Sequence, residues 1–168
     1  VATGYIPQHY QAIEPILALQ AGTGEKPRSR ELVKIFSIIE ANRPDIFERE
    51  AWELSEVILK ESSKYKLDPI LILAVIDVES KFQFGAISPA GARGIMQIMP
   101  ATAKEWAARL DLDHSPDRLY DPEYSIRLGS AYFRWVLSRF GGNVELALAG
   151  YNGGPNRIQR LWNEAGGD

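Results

Sequence analysis

Apolar positions recur at helical spacing along most of this chain, and no alternating stretch is long enough to predict a strand. Leu32, Ile35, Phe36 and Ile39 share one face of a helix that Ser29 can cap and that runs to about Ala41. Asn42-Arg43-Pro44-Asp45 breaks it. A second helix is predicted from about Asp45 to Lys66, burying Phe47, Ala51, Leu54, Ile58 and Tyr65. Asp68 caps a third, and Pro69 opens it at the position whose N–H has no helical partner. Its residues, through Ser80, are apolar on nearly every side, which predicts a central, buried helix.

Lys81 to Gly94 is a loop rich in glycine and proline, the kind of segment that carries binding groups on a rigid scaffold. Pro100 opens a helix to about Leu110. Asp121 caps another, with Ile126, Gly129, Phe133, Val136 and Phe140 on one face, and Gly141-Gly142 ends it. Asn143 caps a short helix to about Gly150. Pro155 opens the last, with Ile158, Leu161 and Trp162. Residues 1–28 are irregular, with a short helix expected at Glu14–Gln20. The predicted fold class is all-α, with an extension over residues 1–53 packed on a domain at 54–168.

Composition narrows the function. The chain has 168 residues, 45% hydrophobic and 24% charged, which suits a globular domain with a proper core. A net charge of −3 does not suggest a nucleic-acid surface. No apolar run is long enough to span a membrane. Cysteine is absent, which excludes disulfides and thiol catalysis, and the only histidines, His9 and His114, are far apart, so no metal site is expected. Asp111-Leu112-Asp113-His114-Ser115-Pro116-Asp117 fails as a calcium loop, because Pro116 stands where glycine is needed. The chain begins at Val1, so a targeting segment removed upstream is expected.

The chemistry concentrates at Glu79-Ser80, which closes the apolar helix. A carboxylate at the edge of a core loses hydration, and its charged form is disfavoured. A proton then remains available to a poor leaving group such as a glycosidic oxygen. A structural salt bridge at a helix end is the competing explanation. Asp77 is the nearest acid, but two residues along a helix is about 200° around it, so the two side chains point apart. Asp121 and Glu123 are explained by capping. Ser80 has no histidine near it in sequence and is expected to hold the helix end.

Three further segments bear on Glu79: the turn Ser88-Pro89-Ala90-Gly91-Ala92, the run Gly94-Ile95-Met96-Gln97-Ile98-Met99-Pro100, and Gly150-Tyr151-Asn152-Gly153-Gly154-Pro155. In this order, with the Asp121-Pro122 helix start, they resemble the soluble lytic transglycosylase family over residues 54 to 168. The resemblance implies a lysozyme-like, goose-type helical domain that cleaves peptidoglycan. It implies Glu79 as acid and then base, with Ser88, Met96, Gln97, Tyr151 and Asn152 on the substrate side. Met96 and Tyr151 would offer apolar surface to sugar faces, and Gly94 would serve turn geometry. One departure is visible: the family usually has alanine where this chain has Gly150, and the loop is expected to keep its shape.

The expected reaction therefore breaks the β-1,4 bond between N-acetylmuramic acid and N-acetylglucosamine and leaves a 1,6-anhydro end, with no metal or cofactor. The rivals are a lysozyme-type or chitinase-type hydrolase and a non-catalytic glycan-binding module. The expected partner is the peptidoglycan glycan strand, met by a monomer that is periplasmic or exported, or anchored through a segment upstream.

Overall fold

The computed structural model describes residues 29–167, so the calls on residues 1–28 lie outside it. Among the described residues seven α-helices follow one another: α1 (Arg30–Asn42), α2 (Glu48–Tyr65), α3 (Pro69–Ser80), α4 (Pro100–Arg109), α5 (Pro122–Arg139), α6 (Val144–Gly153) and α7 (Pro155–Glu164). A 3-10 turn at Pro116–Tyr120 joins α4 to α5. The architecture is all-α and lysozyme-like, as expected. The chain separates into two compact units that divide inside α2, between Lys60 and Glu61.

The predicted caps are present. Backbone N–H groups of Leu32, Ile70, Glu123 and Leu146 donate to Ser29 Oγ, Asp68 Oδ1, Asp121 Oδ1 and Asn143 Oδ1 at 3.2, 2.8, 3.0 and 2.9 Å. Each such cap is worth about 1 kcal/mol.

In the first unit the ring of Phe36 stacks on Trp52 at 3.8 Å, and Val33, Ile35 and Ile39 are fully buried. Arg43 forks onto Asp45 through two bonds of 2.7 and 2.8 Å, and this fixes the break after α1. Phe47 departs from expectation: it is 78% exposed. It lies just ahead of α2, where its N–H donates to Glu50 Oε2 at 3.1 Å, so its side chain falls outside the buried stripe.

The second unit is built on α3 and α5. Ile72, Leu73, Val75 and Ile76 are buried, and each contributes roughly 1.5–3 kcal/mol by leaving water. The burial of α3 is one-sided rather than complete: Val78 is exposed, and Asp77 on the open side bonds Lys81 at 3.0 Å. Tyr65, at the end of α2, is half-buried. The face of α5 predicted from spacing is buried throughout.

Helix α6 runs one turn past Gly150, so Tyr151 and Asn152 belong to a helix and not to a loop. A methyl group on Gly150 would lie 2.6 Å from Cε2 of Phe140. The Gly150 departure is therefore matched by the Phe140 ring, which fills the space of the missing side chain.

Candidate active site

Glu79 lies in the last turn of α3, one residue before the turn that ends it. Lys81 and Phe82 then take left-handed backbone angles, with φ of 51° and 59°. Non-glycine residues there store about 1–3 kcal/mol each, and such strain gathers at functional sites. Ser80 holds this end in place. Its buried hydroxyl donates to the carbonyl of Ile95 at 2.7 Å, tying α3 to the turn at residues 94–98.

That turn is fastened from several directions. Tyr151 donates its phenolic proton to the carbonyl of Met96 at 2.8 Å. Gln97, itself left-handed at φ 47°, donates through Nε2 to the carbonyls of Ala86 and Gly94 at 3.1 and 2.9 Å. Gly94 has φ 75°, and a Cβ there would fall 1.8 Å from the carbonyl oxygen of Leu119. Only glycine fits.

These elements enclose an open cavity of about 310 Å³. Glu79, Ser88, Gln97, Tyr151 and Asn152 all line it, so five of the residues singled out in the sequence meet at one place. Among the described residues, Glu79 is the only acid that lines it. Burial pushes its carboxyl above the usual glutamate range, and a hydrogen bond with the Asn152 side chain pulls back part of that shift. Desolvation also holds the Tyr151 phenol well above its ordinary value, with the Glu79 and Tyr132 charges adding to it. A neutral phenol suits its bond to the Met96 carbonyl.

Met96 does not line the cavity. Its side chain is fully buried, with Sδ in the space where Gly129 lacks a side chain, 2.3 Å from where a Cβ would stand. The expected sugar-facing thioether is a core residue, because Gly129 opens a slot for it in α5. Gln97 and Tyr151 reach the cavity, but their donors hold backbone carbonyls. Ser88 Oγ accepts from the N–H of Ala92 at 3.0 Å, and its own proton has no acceptor among the described residues.

Sequence reasoning missed Tyr132, Thr102 and Met99, which also line the cavity. Tyr132 packs against Tyr151 with ring centroids 5.3 Å apart. Its position three residues after Gly129 and four before Val136, on the border of the buried stripe of α5, was the available signal.

The fold and the site together define a helical, lysozyme-like domain with one desolvated glutamate in an open cavity. Residues 56–167 match the family described as the transglycosylase SLT domain, and the chain belongs to that family. It is similar to the soluble lytic murein transglycosylase of Escherichia coli K12, at 40% identity over 98 residues, covering 56% of this chain and 15% of that protein. The chain thus spans about 15% of the length of this curated relative. Among solved structures it resembles an inactive mutant of the lytic transglycosylase Slt from Pseudomonas aeruginosa, in which glutamine replaces a glutamate. The TM-score is 0.61 at 27% identity, over 90% of this chain and 28% of that one. The 70 kDa soluble lytic transglycosylase of Escherichia coli gives 0.62 at 26% identity, over 82% of this chain and 25% of that one.

Proposed function

We propose that the chain is a peptidoglycan lytic transglycosylase, with residues 54–168 as its catalytic domain. It would cleave the β-1,4 bond between N-acetylmuramic acid and N-acetylglucosamine and leave a 1,6-anhydromuramic acid end. The observation that carries this reading is Glu79, desolvated and the only carboxylate among the described residues lining the cavity. The protonated carboxyl gives its proton to the bridging oxygen as the glycosidic bond breaks. The resulting carboxylate, which Asn152 stabilises, then takes the proton of the substrate's own 6-hydroxyl as that oxygen closes on the anomeric carbon. Burial favours the acid form and the amide favours the base form, so one side chain serves both steps.

A hydrolase of the usual kind needs a second carboxylate to activate water or to act as nucleophile. Asp77 is unsuited to that role, because it is paired with Lys81 on the open side of α3. The inactive form of the Pseudomonas relative, with its Glu-to-Gln change, supports a glutamate-dependent reaction. Ser88, with an unused hydroxyl proton, is placed to donate to a sugar. The glycan strand is the partner, and the bacterial cell wall, reached from the periplasm or outside, is the place of action. Glu79→Gln tests the reading. It removes the transferable proton at constant shape, so solubilisation of purified sacculi should fall by at least about 10²-fold while binding persists. Substantial residual cleavage would move the acid elsewhere.

A further inference from the structure

One peptide unit in the turn at residues 94–98 is gripped at both ends. It joins Ile95 to Met96, both fully buried, and carries the Ile95 carbonyl and the Met96 N–H on opposite sides. Ser80 of α3 donates to that carbonyl at 2.7 Å. From the other side, the N–H of the same unit donates to Ser125 Oγ of α5 at 3.4 Å. Ser125 is fully buried, and its Oγ lies 3.3 Å from where a Cβ on Gly94 would stand, so it sits directly against the turn.

The next peptide unit is closed as well. Tyr151 holds the Met96 carbonyl, and the N–H of Gln97 donates to the carbonyl of Gly94 at 3.0 Å. Two successive peptide units thus have every polar group paired, as buried backbone requires. Gln97 follows them with its left-handed φ of 47°, which an L residue keeps only where its surroundings dictate it. Gln97 and Ile98 line the cavity with Glu79, so a rotation of the 95–96 unit would carry that wall with it. Ser80 alone leaves the unit free to pivot about its carbonyl. A second contact at the N–H removes the pivot.

We propose that Ser125 is a positioning residue for the Glu79 reaction: with Ser80 it clamps the 95–96 peptide unit, and the clamp sets the cavity wall at Gln97 and Ile98 against the acid. The inference rests on the transglycosylase reading above. Ser130 supplies the control. It is another fully buried serine of α5, and its hydroxyl has no hydrogen-bond partner among the described residues. Ser125→Ala and Ser130→Ala delete the same atom from the same helix, but only the first takes a bond from the turn.

The test compares the two variants, with circular dichroism to show that both are folded. Initial rates of sacculus solubilisation are taken well below each Tm. Ser125→Ala should lower kcat by about tenfold with a smaller change in KM, and Ser130→Ala should keep the parental kcat. Both clamping serines act on one peptide unit, so Ser80→Ala with Ser125→Ala should fall well short of the product of the two single losses. A parental kcat for Ser125→Ala, an equal loss for Ser130→Ala, or losses that multiply would overturn the clamp. Amide hydrogen exchange reads the clamp without substrate. Relative to the core amide of Phe133, the Met96 N–H should exchange at least about fivefold faster in Ser125→Ala and at the parental rate in Ser130→Ala. An unchanged Met96 rate in Ser125→Ala overturns the clamp and leaves the transglycosylase reading untouched. A parent protein that releases nothing from sacculi, with the exchange rates as expected, overturns that reading and the catalytic role of Ser125 while the clamp itself stands.

Discussion

Ser80→Ala tests how the site is assembled. The substitution deletes the hydroxyl that donates to the buried carbonyl of Ile95 and joins the end of α3 to the turn at residues 94–98. Leaving a buried acceptor unsatisfied costs about 1–3 kcal/mol. Two effects oppose this. Alanine gains about 0.5 kcal/mol of helix propensity, and the longer bond from the same hydroxyl to Ile76, at 3.2 Å, is a back-bond that strains a helix. The net cost is then about 1–2 kcal/mol. For a domain of this size that lowers Tm by roughly 3–10 °C.

The functional effect is larger than the stability effect. Glu79 precedes Ser80, and a displacement of about 1 Å at a reacting group can cost ~10² in rate. Well below the lowered Tm, the folded variant should therefore lose about 10–100-fold in kcat with a smaller change in KM. The assay pairs thermal melts by circular dichroism with initial rates of sacculus solubilisation. A variant that melts within about 1 °C of the parent and turns over at its rate would show that this tether does not position Glu79.

Three further outcomes follow from the site and from the packing behind it. Burial raises the Glu79 carboxyl, so the rate should fall on the alkaline side as pH rises through its folded pKa. A raised carboxyl favours the folded state while protonated. That contribution is full below the unfolded pKa and lost as pH rises through the folded one, so Glu79→Gln should be at least as stable as the parent near about pH 8. A rate climbing into alkaline pH, or a less stable Gln variant there, would contradict the assignment. Gly150→Ala should destabilise by about 1–3 kcal/mol, because the new methyl meets Phe140, and Phe140→Leu should recover part of it; urea melts at parental stability for the single variant would refute this.

Much of this protein was legible in its sequence because its helices announce their ends. Side-chain caps at Ser29, Asp68, Asp121 and Asn143, and prolines at first-turn positions, follow from backbone chemistry that acts within a few residues. Glu79 was legible for a related reason: an acid closing an apolar helix has few places to go but a desolvated edge. The features that the sequence did not show depend on contacts distant in it. Met96 is core only because Gly129 lies opposite it, and nothing within the 94–100 run shows that. Tyr151 and Gln97 line the cavity as the sequence suggested, but that their donors hold carbonyls on other segments was not legible in it. Phe47 followed the apolar spacing, but the Arg43–Asp45 fork starts α2 later than the spacing alone suggested. Tyr132 carried only its place on the border of the α5 stripe, and its part in the cavity becomes visible only where α5 meets α6.

The central claim is that one glutamate directs the cleaved sugar onto its own 6-hydroxyl. Mass spectrometry of the muropeptides released from purified sacculi, with and without borohydride, tests it most directly. Ring closure by an internal nucleophile has the entropic advantage over capture of water, and among the described residues Glu79 is the one acid lining the cavity to assist either route. The account predicts products ending in 1,6-anhydro-N-acetylmuramic acid, lighter by one water than the hydrolysis product and unchanged by borohydride. Products ending mainly in reducible muramic acid would contradict it.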